Sequence, residues 1–347
     1  MAGGLFNACR AGGQDGMKHI PSLDGLRGIA VLWVVLHHAG LGYGRGWTES
    51  SVQTFYDVGW AGVDLFFALS GFLITRILIE TRDRPDYFPR FYWRRTKRIF
   101  PLYFAVLVLA FCCYPGWWVG RFATYSANIL PGDWYYGGFA LGHFWSLCVE
   151  EHFYLFWPAV VKFVPLCRLP LVIAGTAGFS VLLRLFMMDF GWHFDEVLKF
   201  TPCRLDGLAL GAGLAVWRLS RPGIVALVAA GVAVALAWTC NQHGTVFVSF
   251  GRFAVSVAAV GAVAWSVEAS PKFLNDPWLR RLGELSYGVY VWHYLFAGIL
   301  TPVSGEMFRN LGYWGGSFMS IAVWLGTGLV LAILSERLIE RPFRNLP

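Results

Sequence analysis

Long apolar runs separated by short polar breaks extend over most of the 347-residue chain. A helix that crosses the hydrocarbon core of a bilayer needs about 20 mostly apolar residues, and each run meets or approaches that length. The pattern therefore predicts an all-α membrane protein with ten transmembrane helices in a single bundle, and an even number places both termini on the same side. The predicted spans are 24–42, 58–79, 99–114, 143–164, 170–189, 204–219, 223–240, 248–267, 285–303 and 317–338.

The composition supports the same class of protein. Apolar residues make up 56% of the chain and charged residues only 14%, against about 25% charged residues in soluble domains. The net charge of +7 comes from basic residues between the apolar runs and not from an amphipathic face with interleaved aromatic residues, which disfavours a nucleic-acid partner. The positive-inside rule then predicts cytoplasmic N- and C-termini, and so a multi-pass protein of the cytoplasmic (inner) membrane.

The pattern shows one domain. Residues 1–19 are Gly-rich and lack the apolar core of a signal peptide. They are expected to form a disordered cytoplasmic segment, with either Met1 or Met17 as the native start, before a transmembrane domain over residues 20–347. The seven cysteines form no CxxC pair and no Cys/His ligand spacing, which predicts neither a metal site nor a disulfide framework.

The first predicted helix carries ionisable side chains, which are costly in an apolar span. Arg27 and His38 are eleven residues apart, almost three full turns, so they share one helix face about 16 Å apart along the axis. His37 points about 100° away from that face. Either Arg27 is an interfacial anchor and His38 a satisfied histidine near the outer end, or His38 is a general base in a cavity.

The most basic stretch lies between the second and third predicted spans and ends in a cluster of arginines. Arg95 and Arg98 stand at positions i and i+3 on one helix face, beside Arg94. Such a cluster is usually a topology determinant or a contact for anionic lipid headgroups of the bilayer. The alternative is a site for the phosphates of a donor that arrives from the cytoplasm.

Polar side chains follow one stripe of the fourth predicted span. His143, Ser146 and Glu150 fall at i, i+3 and i+7, with Tyr154 at i+11. A stripe of this kind must face a polar interior, where a carboxylate could orient His38 and stabilise its imidazolium. The alternative is that the acidic pair in this span only complements the helix dipole.

Three further stretches add polar groups. Ser70–Gly71 in the second span favours close helix packing or, alternatively, approach of the backbone to a ligand. Arg204 and Asp206, at the start of the sixth span, predict an ion pair or an interface pair. Tyr290 and His293 share a face of the ninth span, where structural and functional roles for the histidine are equally open.

Seven short motifs follow one another along the chain. They are Ser-Leu-Asp-Gly-Leu-Arg-Gly-Ile-Ala, Asp-Leu-Phe-Phe-Ala-Leu-Ser-Gly-Phe-Leu-Ile, Arg-Arg-Thr-Lys-Arg-Ile-Phe-Pro-Leu-Tyr, His-Phe-Trp-Ser-Leu-Cys-Val-Glu-Glu-His-Phe-Tyr, Arg-Leu-Asp-Gly-Leu-Ala-Leu-Gly, Leu-Ser-Tyr-Gly-Val-Tyr-Val-Trp-His and Glu-Arg-Leu-Ile-Glu-Arg-Pro-Phe. In this order, from about residue 20 to residue 344, they resemble the acyltransferase-3 family. Each motif alone is weak, and their ordered conjunction is specific.

The resemblance implies a ten-helix membrane enzyme that moves an acyl group, commonly acetyl from acetyl-CoA, to hydroxyls of cell-envelope glycans or other small acceptors. The family's pattern of arginine, ten residues and histidine falls on Arg27 and His38, which makes His38 the implied essential histidine. One departure is His152, where relatives more often carry glutamine. Unlike some relatives, the chain shows no appended SGNH-type domain, so transfer is expected within the membrane domain or with another protein.

The predicted site combines the residue patterns with the resemblance. The family's Arg-x-x-Arg and Trp-Ser-Leu-x-x-Glu motifs coincide with the basic cluster and the polar stripe described above. Direct attack by the acceptor and a transient acyl-enzyme both stay open. The predicted residues are His38, Glu150 and Arg27 as catalytic groups, Arg94, Arg95 and Arg98 as donor-binding groups, and Ser70, His143, Trp145, Ser146, Tyr154, Tyr290 and His293 as substrate or cavity residues, with no metal.

Two other functional classes fit the same pattern. Ten helices with intramembrane histidines and carboxylates also suit a proton-coupled transporter or flippase of a glycan or lipid. A membrane receptor or scaffold without turnover is the third class. Only the acyltransferase consumes acyl-CoA, so labelled acetyl-CoA separates the three, while the acceptor, the acyl chain and the oligomeric state stay open.

Overall fold

The computed structural model describes residues 19–40, 58–129 and 141–346. Within these ranges the chain forms helices joined by turns, without a strand, which confirms the predicted all-α class. All but the last residue of the predicted disordered segment 1–19 lies outside the described residues. The helices are α1 (Pro21–Gly40), α2 (Ala61–Glu80), α3 (Tyr87–Cys113), α4 (Trp118–Ala123), α5 (Trp145–Phe163), α6 (Leu169–Asp189), α7 (Phe194–Lys199), α8 (Leu205–Gly213), α9 (Pro222–Thr239), α10 (Arg252–Ala269), α11 (Pro277–Glu284), α12 (Ser286–His293), α13 (Ala297–Ser335), which is interrupted at the non-helical Gly312, and α14 (Arg341–Arg344).

Helices long and apolar enough to cross a bilayer make this a multi-pass membrane protein. Six such segments occur in the described part of the chain. The predicted count of ten and the orientation of the termini stay predictions. The six segments are Val58–Glu80, Tyr87–Cys113, Leu169–Asp189, Pro222–Thr239, Phe247–Ala269 and Ala297–Arg344.

Two predicted spans are much shorter helices than their apolar runs indicate. The runs 204–219 and 285–303 contain α8, with 9 residues, and α12, with 8 residues. At 1.5 Å per residue these helices are about 14 and 12 Å long, less than half of a hydrocarbon core of about 30 Å. The predicted lengths are wrong because apolar residues continue past the helix ends, where hydropathy cannot locate a turn.

The chain divides into two units. Unit 1 comprises Met1–Leu26, Asp64–Pro89 and Val149–Asp276. Within it, a Cβ added to Gly71 on α2 would lie 2.0 Å from the Leu208 carbonyl oxygen on α8. The two backbones therefore approach as only glycine permits, which confirms the packing interpretation of Gly71.

Unit 2 comprises Arg27–Val63, Arg90–Cys148 and Pro277–Pro347. Within it, a Cβ added to Gly28, next to Arg27 on α1, would lie 2.3 Å from the carbonyl oxygen of Leu279 on α11. The backbones of α1 and α11 are therefore in close contact. The Tyr287 hydroxyl at the start of α12 donates to the Ile99 carbonyl oxygen of α3 at 2.7 Å. At their other ends, α1 and α12 meet, because His38 near the end of α1 contacts His293 at the end of α12.

Candidate active site

The site in unit 2 begins with a histidine in the last turn of α1. His38 is half-buried, and its Nδ1 lies 2.9 Å from the carbonyl oxygen of Val34. A carbonyl oxygen only accepts hydrogen bonds, so Nδ1 is the donor and carries the proton of the neutral imidazole. The ring packs against Tyr294 with the centroids 4.5 Å apart. This leaves Nε2 as the nitrogen of His38 that can take up a proton.

A second histidine reaches His38 from the end of α12. His293 is fully buried, and its Nε2 lies 3.1 Å from Nδ1 of His38. Its own Nδ1 lies 2.7 Å from the carbonyl oxygen of Tyr290. The sequence predicts both histidines as site residues, but they are 255 positions apart, so only the fold establishes that they meet.

The third histidine lies in the turn that precedes α5. His143 is buried, with its ring centroid 4.9 Å from that of His293 and 5.2 Å from that of Tyr290. Within the described part of the chain, neither ring nitrogen of His143 has a hydrogen-bond partner. His38, His143 and His293 together form what we call the histidine cluster, which gathers three of the predicted site residues.

Hydroxyl groups hold the start of α5 beside the histidine cluster. The Tyr290 hydroxyl donates to the carbonyl oxygen of His143 at 2.9 Å. The Ser146 hydroxyl lies 2.5 Å from that of Tyr290, within hydrogen-bond distance, and 3.2 Å from the same carbonyl oxygen. Both predicted cavity residues therefore position the backbone of His143. Trp145, also predicted for the cavity, is half-buried as the first residue of α5.

The predicted polar stripe of the fourth span divides between the two units. His143 and Ser146 belong to unit 2, whereas Glu150 and Tyr154 belong to unit 1. Within unit 1 the Glu150 carboxylate accepts hydrogen bonds from the hydroxyls of Ser70 at 2.8 Å and Tyr154 at 3.2 Å. Three predicted residues thus meet there, and the role of the carboxylate in orienting the catalytic histidine stays a prediction.

The predicted donor-binding arginines lie in the first half of α3, in unit 2. Arg95 is half-buried with its guanidinium 5.9 Å from the ring centroid of Phe91, while Arg94 and Arg98 are exposed. Arg27, in the first half of α1, is half-buried. Guanidinium groups form strong bidentate contacts with phosphate, and their role toward a phosphorylated donor stays a prediction.

Unit 1 holds two buried ion pairs. Arg204 donates to Asp64 at 2.7 Å and Arg184 donates to Asp206 at 2.8 Å, with all four side chains at most 3% exposed. Arg204 and Asp206 therefore form interface pairs with other helices and not an ion pair with each other. Their spacing of two residues explains this, because side chains at i and i+2 do not face each other on a helix.

Sequence reasoning missed Arg184. This side chain also donates to the carbonyl oxygens of Cys203 at 2.5 Å and Ser249 at 3.2 Å, so it joins three segments of unit 1. The available signal was a single charge in the middle of the apolar run 170–189. Sequence reasoning also missed Tyr294, which packs on His38. The sequence pattern around Tyr294 gives no sign of a site residue, except that it follows His293.

The position that departs from the family pattern has a local partner. His152 lies in unit 1 with its Nδ1 2.7 Å from the hydroxyl oxygen of Thr201.

Across the ranges that the structure describes, no group of three His, Cys, Asp or Glu side chains could hold a metal ion. The prediction that the enzyme needs no metal stays a prediction.

Comparison with known proteins relates most of the chain to acyl transfer. The family model described as “Acyltransferase domain” matches residues 20–335. The chain is 28% identical, over 94% of its length, to a peptidoglycan O-acetyltransferase of Listeria monocytogenes. It is 29% identical, again over 94%, to a putative peptidoglycan O-acetyltransferase of Bacillus subtilis. It spans 56% and 55% of the lengths of these two relatives. No solved structure matches the chain significantly.

Proposed function

Because the chain belongs to the acyltransferase-3 family, we propose that it moves an acyl group, acetyl first of all, from acyl-CoA to a hydroxyl of a cell-envelope glycan. The names of the O-acetyltransferase relatives support the reaction class, and peptidoglycan in two of those names makes it the first acceptor to test. The observation that carries the proposal is the hydrogen bonding of His38 within the histidine cluster, which fixes its proton on Nδ1 and leaves its Nε2 available as a base.

In the proposed reaction, His38 is the general base. Its Nε2 takes the proton of the acceptor hydroxyl while the hydroxyl oxygen attacks the carbonyl carbon of the thioester. The carbon–sulfur bond then breaks, and the departing thiolate takes the proton from the imidazolium, so that an ester and free coenzyme A are formed. A positioned acid–base group of this kind contributes about 10²- to 10⁴-fold to the rate. A transient acyl-enzyme would use the same base in two successive steps.

The donor is proposed to extend along unit 2 from the arginines to the histidine cluster. Arg95 and Arg98, with Arg94 beside them, would hold its phosphates. The contact that supports this path is the hydrogen bond from the Tyr287 hydroxyl, at the start of α12, to the carbonyl oxygen of Ile99, which follows Arg98 on α3. The rise from Arg27 to His38 of about 16 Å suits an extended pantetheine arm better than a compact substrate.

The proposed topology has ten transmembrane helices with both termini in the cytoplasm. The excess of Lys and Arg in the predicted inner segments supports this orientation. The arginines of α3 then face the compartment that contains acyl-CoA. Inner-membrane placement follows from the same argument and would expose the outer end of the site to a cell-envelope acceptor.

The test is an acyl-transfer assay with the full chain reconstituted in lipid vesicles, with labelled acetyl-CoA and soluble peptidoglycan fragments. We expect wild-type protein to transfer label, and His38→Ala to lose about 10²- to 10⁴-fold in turnover. His37→Ala is the matched control, because it removes a neighbouring imidazole, 5.1 Å from the ring of His38, that takes no part in the hydrogen bonds of His38 with Val34 and His293. Folding of each variant is checked by its melting temperature and elution profile.

Transfer at the wild-type rate by folded His38→Ala protein would overturn the assignment. Uptake of glycan without consumption of acetyl-CoA would favour the transporter alternative instead. In the same assay, Arg95→Ala and Arg98→Ala are expected to raise the KM for acetyl-CoA, whereas Arg309→Ala, an exposed arginine paired with Glu306, should not. An unchanged KM for acetyl-CoA in the first two variants would instead assign those arginines to determining membrane topology.

A further inference from the structure

A directional hydrogen-bond chain links two residues of the histidine cluster, His38 and His293, to the backbone of Tyr290. It runs from Nδ1 of His38 to Nε2 of His293 over 3.1 Å, and from Nδ1 of His293 to the carbonyl oxygen of Tyr290 over 2.7 Å. The carbonyl can only accept, so Nδ1 of the neutral His293 must carry its proton. Nε2 of His293 is then a bare acceptor that faces His38.

The two ends of this chain agree on a single pair of tautomers. The Val34 carbonyl oxygen, 2.9 Å from Nδ1 of His38, also requires a proton on that nitrogen. The opposite tautomer of His38 would place its Nδ1 lone pair against the carbonyl lone pairs of Val34. Both neutral imidazoles are therefore protonated at Nδ1, so the basic nitrogen of this pair that accepts no hydrogen bond within the chain is Nε2 of His38.

We propose that His293 is a positioning residue, which holds His38 in the tautomer whose Nε2 takes the acceptor's proton and stabilises the imidazolium that results. This inference rests on the proposed function. In many base–orienter pairs a carboxylate fills this role; here a neutral imidazole does so. The proton moves only from the acceptor hydroxyl to Nε2 of His38, and the proton on Nδ1 stays on that nitrogen, shared between the Val34 carbonyl oxygen and Nε2 of His293.

The surroundings of His293 favour a fixed acceptor. The side chain is fully buried, its ring lies 4.9 Å from that of His143, and its Nδ1 is anchored to the backbone of α12 itself. In such a low-dielectric setting a hydrogen bond to a charged imidazolium is stronger than it is in water. Since α12 presents both the anchor and the acceptor, the geometry does not depend on a flexible loop.

The test compares two amides that differ by one methylene. His293→Asn keeps a donor for the Tyr290 carbonyl but is too short to reach His38, whereas His293→Gln carries its amide oxygen to the position of Nε2. We expect kcat of His293→Asn to fall about 10- to 150-fold, the range for a hydrogen bond to a charged group, with KM for acetyl-CoA within about threefold of wild type. His293→Gln should recover at least part of kcat.

A double variant shows whether His293 acts through His38. Adding His293→Asn to His38→Ala should cause no further loss, because effects of residues that act as a unit are not additive. If Asn fails to fold, His293→Phe, which keeps a ring and removes both nitrogens, replaces it. Wild-type kcat in a folded Asn or Phe variant, equal kcat for Asn and Gln, or additive losses would each overturn the inference. Turnover by His38→Ala alone would instead overturn the proposed function.

Discussion

Unit 1 and unit 2 bury polar groups in different chemical forms. In unit 1 the buried side chains Arg184 and Asp206 form an ion pair, and Arg204 forms a second one with Asp64. In unit 2 the imidazole of His293, within the histidine cluster, is fully buried. The carboxylate of Glu336 in unit 2 also forms ion pairs, with Arg281 and Arg341, but its side chain is 11% exposed. The contrast is therefore between ion pairs that are at most 3% exposed in unit 1 and a fully buried imidazole in unit 2, which can take up a proton.

The difference teaches how to interpret polar residues in apolar spans. A guanidinium and a carboxylate in contact compensate each other, and removing one partner leaves an isolated buried charge. A neutral imidazole has no such partner to lose, and it changes its charge when it acts as a base. A polar group buried in a membrane protein therefore needs either a partner or a function. A group that can change its protonation state is a candidate for catalysis, whereas an ion pair is a candidate for helix packing.

The largest effect is expected for the buried ion pair of unit 1. Arg184→Leu leaves the Asp206 carboxylate buried without its partner, so we expect a loss of about 3–5 kcal/mol in the free energy of unfolding. The yield of monodisperse protein in detergent and its melting temperature measure this loss. Turnover per folded molecule should stay close to wild type.

A compensating variant completes this prediction. Arg184→Leu combined with Asp206→Leu removes both charges, and apolar replacement of a buried ion pair is often neutral or stabilising. We therefore expect the double variant to fold better than the single one. If both variants fold equally poorly, the contacts of Arg184 with the Cys203 and Ser249 carbonyls, and not the ion pair, hold unit 1 together.

An intermediate effect is expected for Glu150, the one predicted catalytic residue that lies in unit 1. Glu150→Gln keeps an acceptor for the hydroxyls of Ser70 and Tyr154 but removes the negative charge that would stabilise an imidazolium. We expect turnover to fall about 10- to 100-fold, equivalent to about 1.4–2.7 kcal/mol, with the melting temperature almost unchanged. Tyr154→Phe is the matched control, because it removes the contacts of this hydroxyl with Glu150 and Ser70 and leaves the charge in place.

That experiment tests the contrast between the units directly. Wild-type turnover in Glu150→Gln would assign this carboxylate to assembly, together with the ion pairs of unit 1. A drop in turnover would instead show that unit 1 also contributes a charge to the chemistry.

An effect on stability smaller than that of Arg184→Leu is expected for a neutral buried pair of unit 1. The indole N–H of Trp157 donates to the Thr75 hydroxyl at 2.7 Å, and both side chains are buried. Thr75→Val keeps the shape but leaves that donor unsatisfied, which should cost about 1–3 kcal/mol of unfolding free energy. Thr75→Ser keeps the hydroxyl and is the control. A melting temperature for Thr75→Val as low as that of Arg184→Leu would show that hydrogen bonding, and not charge, dominates unit 1.

Local patterns predicted much of what the structure confirms. Apolar runs located the long helices because about 20 apolar residues are what a membrane span requires. Ionisable residues inside those runs pointed to His38, His143 and His293, since such residues are too costly to bury without a partner or a function. All of these inferences use information from residues within a few turns of one another.

Only the tertiary structure shows which side chains contact one another. Arg204 contacts Asp64, 140 positions away, instead of Asp206 two positions on, and the short helices α8 and α12 end inside apolar runs. His38 meets His293 across 255 positions, which turns two separate candidates into a hydrogen-bonded pair with defined tautomers. Periodicity and hydropathy describe each helix alone, whereas these contacts depend on how helices from distant parts of the chain pack, and packing is a property of the folded unit.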